Sequence, residues 1–153
     1  MRRRQSGFTL IELVIVIVVL GILAALAVPR FISLQREARI AVVDSLFTSV
    51  RSGSNIIFAK SAAAGRAGLA ASSVDIDGTS TPGGTINTVF GYPRAAQSDL
   101  ILLFDNLSPR YGFSAAGTGV LIALDGIATC SVAYTAPTLA GGSPTITRTI
   151  TGC

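Results

Sequence analysis

FTLIELVIVIVVLGILAALAV, residues Phe8 to Val28, decides how the rest of this chain is read. It is 21 residues long and contains one ionisable side chain, Glu12. As a helix rising 1.5 Å per residue, such a run spans roughly 30 Å, the hydrocarbon thickness of a bilayer. MRRRQSG precedes it. Arg2, Arg3 and Arg4 place that end on the cytoplasmic side by the positive-inside rule, so the remainder points outward. A cleaved secretory signal and a plain signal anchor are the simple alternatives. The first usually has an apolar region of only about 7–15 residues followed by a small-residue cleavage site, which Ala24, Ala25 and Ala27 imitate. Neither explains Glu12. A carboxylate within a membrane helix costs roughly 2.5–3.5 kcal/mol on the insertion scale, and such a group usually has a partner and a function.

Composition agrees with an exported, anchored domain. The 153 residues suffice for one modest domain. Half are hydrophobic and 13% are charged, against about 25% charged in a typical soluble domain. The formal charge is +4, but three of the twelve basic residues lie in the first four positions. Without them nine basic residues face eight acidic ones, a net of +1. The folded part therefore makes no case for nucleic-acid binding, which needs a basic patch.

GFTLIELVIVIVVLGILAALAVP, Gly7 to Pro29, resembles the N-terminal motif of type IV pilins, with the glycine, Phe8, Glu12 and Pro29 in register. The short basic leader is similar to that of the type IVa group. The resemblance implies a leader, residues 1–7, cut between Gly7 and Phe8 by a membrane-embedded prepilin peptidase, which also N-methylates Phe8. It implies an assembly helix over 8–29 and a globular domain over 30–153. Cleavage leaves a positive amine on Phe8, four residues before Glu12. Pairing that amine with Glu12 of a neighbouring subunit offsets two buried charges and sets axial register; pairing within one chain is the alternative. Gly21 and Pro29 bracket a segment that, by the same resemblance, loosens in a filament. The simpler reading is a kink at Pro29.

Past the membrane run, Phe31, Leu34, Ala38, Val42, Leu46, Val50, Gly53 and Ile57 recur every three or four residues, predicting an amphipathic helix to about residue 63. Arg30, Glu37, Asp44 and Arg51 form a polar stripe, either solvated or used between subunits. Gly65 and Gly68 end the helix, and residues 72–85 read as turns. Asp75 and Asp77 alternate like calcium ligands, but two carboxylates fall short of the six to eight oxygens that calcium takes. A short strand near residues 87–90 and a short helix near 95–104 follow, with Phe90, Tyr92 and Pro93 as packing residues. After Ser108 and Pro109, strands are expected at 111–114, 119–124, 129–134 and 145–150, with Arg148 breaking the last alternation. The expected fold is α+β: one long N-terminal helix packed on a three- or four-stranded antiparallel sheet.

Cys130 and Cys153 are an even pair in an exported domain, which points to a disulfide rather than two unpaired thiols. They enclose Pro137, Gly141, Gly142 and Pro144. The pair resembles the C-terminal disulfide loop of many type IV pilins, and CSVAYTAP with the terminal TGC is similar to mannose-sensitive haemagglutinin-type pilins. With no histidine, serine and cysteine triads are excluded. No P-loop or dinucleotide fingerprint is present. No metal site, cofactor or catalytic residue is expected.

The resemblance implies a structural subunit of a type IV pilus, held in the inner membrane and then assembled into an extracellular homo-oligomeric filament for adhesion or motility. An assembly platform, an ATPase and the peptidase are its implied partners, and a surface or host ligand is a further one. The alternatives are a pseudopilin of a type II secretion system and a minor pilin for adhesion or DNA uptake.

Overall fold

The computed structural model describes residues 7–78, 84–104, 107 and 109–153, without the side chains of Pro29 and Ile32. The arginine leader, the middle of the 72–85 turn region and Ser108 lie outside them. The described chain forms two compact units, one ending at Ala38 and the other Arg39–Cys153.

One helix, α1, spans Leu10–Ala63. Neither Gly21 nor Pro29 interrupts it. Among the described residues seven strands follow: β1 (Ser72–Asp75), β2 (Thr85–Val89), β3 (Tyr92–Pro93), β4 (Tyr111–Ala116), β5 (Gly119–Leu124), β6 (Ile127–Thr135) and β7 (Thr145–Thr149). A short helix α2, Gln97–Leu100, continues into a 3₁₀ turn at Ile101–Leu103. The strands make two antiparallel sheets, β1-β2-β3 and β4-β5-β6-β7.

In the unit Arg39–Cys153 the four-stranded sheet covers one side of α1. Val43, Leu46 and Val50 are buried with Val120, Ile122, Leu124, Val132, Tyr134 and Leu100 of α2. The buried helical row is completed by Ser54, Ile57 and Ser61. The expected stripe is thus present at Leu46, Val50 and Ile57, but Val43 rather than Val42 points inward most fully. Phe31 and Leu34, at the head of that stripe, are exposed.

The first sheet was legible only as its middle strand. Residues 72–75 read as turns, yet they pair antiparallel with β2 from Ser72 opposite Thr88 to Asp75 opposite Thr85. Val74 is the single buried side chain of that strand, so no alternation marks it; backbone pairing with β2 makes the strand. Tyr92 and Pro93 are buried as packing residues, with the Tyr92 ring stacked on Phe58 at 4.5 Å. The Tyr134 hydroxyl donates to the Pro93 carbonyl at 2.7 Å and joins the two sheets. Burial raises the Tyr134 phenol well above its ordinary pKa, which keeps it a donor.

Asp125 and Gly126, both at positive φ, turn β5 into β6, as a two-residue hairpin of mirror-image type requires. Arg110 clamps that turn. Its Nε and Nη2 donate to the two Asp125 carboxylate oxygens at 2.7 and 2.6 Å, and its carbonyl accepts the Asp125 N–H at 2.7 Å.

Asp99 is a buried carboxylate satisfied three times over. It accepts from the Asn87 backbone N–H, the Asn87 side-chain amide and Arg94 Nε, each at 2.9 Å. These bonds fasten α2 to β2.

Candidate functional site

The apolar end of α1 has no covering in the single chain. Phe8 is 83% exposed and Leu10 80%, and the large side chains through Val28 are exposed throughout. This helix is the one among the described residues long and apolar enough to cross a membrane. Such a surface is stable against lipid or against other apolar helices.

Glu12 sits at the start of that helix with a local partner. Thr9 precedes the first helical residue, and its N–H donates to Glu12 Oε2 at 2.9 Å. Its hydroxyl donates to the same oxygen at 2.6 Å. The Glu12 N–H returns a longer bond, 3.3 Å, to Thr9 Oγ1. This is a reciprocal N-terminal capping box, with Thr at the cap and Glu three residues on. Its sequence signal, T-x-x-E before an apolar run, is present at Thr9 to Glu12, but a reading of Glu12 as a membrane charge passes over it. The carboxylate thus satisfies the Thr9 N–H, and the Thr9 hydroxyl the Glu12 N–H, at a helix end that has no earlier turn to accept them.

The polar stripe divides. Asp44 forms an ion pair with Arg148 of β7. Arg148, which interrupts the alternation of β7, is therefore placed by α1 rather than by the sheet. Arg51 is exposed beside a cleft where Phe47 and Asn55 face residues 143–146, the entry into β7.

Cys130 and Cys153 are joined by a disulfide. Cys130 is wholly buried in the core, so the bridge anchors the C-terminus to β6. A backbone bond from Gly152 N–H to the Thr129 carbonyl, 3.0 Å, lies beside it. Within the enclosed loop, Gly142 N–H bonds the Leu139 carbonyl at 3.1 Å.

Asp75 Oδ1 accepts the N–H groups of Asp77 and Gly78 at 3.1 and 2.8 Å, a side-chain turn. Among the described residues no group of three or more His, Cys, Asp or Glu side chains gathers where a metal could bind.

A long N-terminal helix whose second half packs on an antiparallel sheet is the pilin architecture. Residues 2–28 match the prokaryotic N-terminal methylation motif. The type IV narrow pilus major component PilA5 of Thermus thermophilus is 59% identical over 49 residues, 32% of this chain and 42% of that protein. The type II secretion system core protein G of Pseudomonas aeruginosa is 58% identical over 41 residues, 27% of this chain and 29% of that protein. The type IV major pilin protein PilA of Myxococcus xanthus is 56% identical over 36 residues, 24% of this chain and 16% of that protein. The chain thus spans less than half the length of these relatives, and no solved structure matches it. Over about a quarter to a third of its length it is homologous to type IV pilins and type II secretion pseudopilins. These are structural, non-catalytic subunits, and no catalytic motif stands among the described residues.

Proposed function

We propose that this chain is a subunit of a type IV pilus, of the type IVa group and similar to mannose-sensitive haemagglutinin-type pilins. The carrying observation is the uncovered apolar segment from Phe8 to Val28 with one carboxylate near its start. In this reading the leader is cut between Gly7 and Phe8, Phe8 is methylated, and the helix stays in the inner membrane until a platform and an ATPase extract it. Packing of these helices in the fibre replaces lipid as the covering of their apolar faces. The capping box and the new amine then compete for Glu12, and assembly settles that competition in favour of the amine of a neighbour. Gly21 and Pro29 allow the segment between them to loosen during packing.

A pseudopilin role is the second reading, supported by the identity to core protein G. The disulfide-closed C-terminal loop favours the pilus over it.

Mass spectrometry of protein sheared from native cells tests the choice. The expected species begins at methylated Phe8 and carries one disulfide. Processed chain confined to the inner membrane favours the pseudopilin, and an intact Met1 overturns both.

A further inference from the structure

Phe47, Arg51 and Asn55 follow one another at helical spacing along one flank of α1. They face residues 143–146 across an open cleft of about 460 Å³, whose wall Tyr92 completes. Small-molecule sites typically enclose roughly 300–1,000 Å³.

The walls are fixed before anything binds. Ile146 lies opposite the buried Tyr134 in the sheet. Further along β7, Arg148 is held by Asp44, and the chain beyond it is tied down by the disulfide at Cys153. The Tyr92 ring is stacked on Phe58. A cleft with walls already in place loses little freedom on binding.

Two groups in it lack the partner their chemistry calls for. Arg51 has no counter-ion: among the described residues no carboxylate pairs with it and none lines the cleft. Asp44, earlier on the same flank, is taken by Arg148. Tyr92 is only 9% exposed, yet its hydroxyl has no hydrogen-bond partner among the described residues. A buried tyrosine hydroxyl usually finds one, as Tyr134 does at the Pro93 carbonyl. The side chains of Asn55, Ser143 and Thr145 are exposed along the cleft and also make no hydrogen bond among the described residues.

We infer that this cleft binds an acidic sugar of the uronic acid class, with the sugar carboxylate on Arg51. A guanidinium matches a carboxylate in a two-bond fork. The ring hydroxyls meet Tyr92, Asn55, Ser143 and Thr145, which offer both donors and acceptors. The C–H face of the ring meets Phe47 and Ile146. Other small anions fit less well. A fatty acid leaves the hydroxyls and the amide of the cleft unsatisfied. A phosphate ester brings nearly two negative charges to a single cation. The site is complete in one chain, so the inference goes beyond the filament reading and does not depend on it.

Ligand-observed NMR titration of the full-length chain in zwitterionic detergent micelles tests it. The probes are glucuronate, its neutral counterpart glucose, and N-acetylglycine as a peptide-like carboxylate without a sugar ring. Glucuronate is expected to bind about tenfold more tightly than either of the others. Arg51→Gln is expected to bring glucuronate down to the affinity of glucose, and Arg51→Lys to keep part of the difference, because lysine retains the charge without the fork. Tyr92→Phe is expected to weaken both sugars about threefold, with the thermal transition unchanged because that hydroxyl bonds nothing in the fold. Glucuronate binding no better than glucose, or binding unchanged in Arg51→Gln, overturns the site. N-acetylglycine binding as tightly as glucuronate overturns the sugar and gives the cleft to a peptide carboxylate instead.

Discussion

Replacing the half-buried Cys153 with Ser removes the disulfide while leaving the wholly buried Cys130 in place. The bridge joins residues 23 apart. The loop-entropy relation for that separation gives about 3 kcal/mol of stabilisation lost. For a unit the size of Arg39–Cys153, with an unfolding entropy of roughly 2.1 cal/mol/K per residue, this lowers the midpoint by about 12 °C. The three tyrosines all lie in that unit and no tryptophan is present. Tyr92 and Tyr134 are buried, so tyrosine fluorescence of the full chain in detergent micelles follows this unit without the apolar helix dominating the signal. The unsubstituted chain melted with reductant should fall on the transition of Cys153→Ser. A loss under about 3 °C in both would refute the view that the bridge, rather than the backbone bond from Gly152 to Thr129, restrains the C-terminus.

Asp99→Ala should cost about 2 kcal/mol, because it removes the charged acceptor of three hydrogen bonds from Asn87 and Arg94 while leaving the exposed Asn87 donors open to water; urea titration read by the same tyrosines would measure it, and no measurable loss would contradict the assigned bonds. Hydrogen bonding by Arg110, with burial opposing it, holds the Asp125 carboxyl below its usual range. A depressed folded pKa means that its contribution is present above the unfolded carboxylate value and is lost as pH falls through the lower folded one. NMR titration should therefore show Asp125 still ionised where free carboxyls are half protonated, and Arg110→Ala should return it to the ordinary range. Glu12→Val should leave leader cleavage intact and sharply reduce fibres in sheared fractions; abundant normal fibres would sink the pairing role of that carboxylate.

The two sheets differ in how visible they were. Strands β4 to β7 lie within a residue or two of the expected runs: β5 and β6 bury most of their apolar residues, and in β4 and β7 the half-buried Tyr111, Phe113 and Ile146 alternate with exposed neighbours. The α2 region was visible as Leu100 and its neighbours, but the helix is shorter than expected and passes into a 3₁₀ turn. Strand β1 carried one buried side chain and so no periodic signal. The capping box was written plainly at Thr9 and Glu12, and was obscured only because a carboxylate in an apolar run draws a functional reading first.

The sequence by itself determined the apolar helix, its single carboxylate, the amphipathic continuation of α1 and the candidate cysteine pair, since these depend on local period, length and residue chemistry. The tertiary structure alone decided that Arg148 belongs to Asp44, that Asp99 fastens α2 to β2, and that the Tyr134 hydroxyl meets the Pro93 carbonyl. Those pairs are joined through space by packing of the sheet on α1, and no rule of spacing along the chain encodes such contacts.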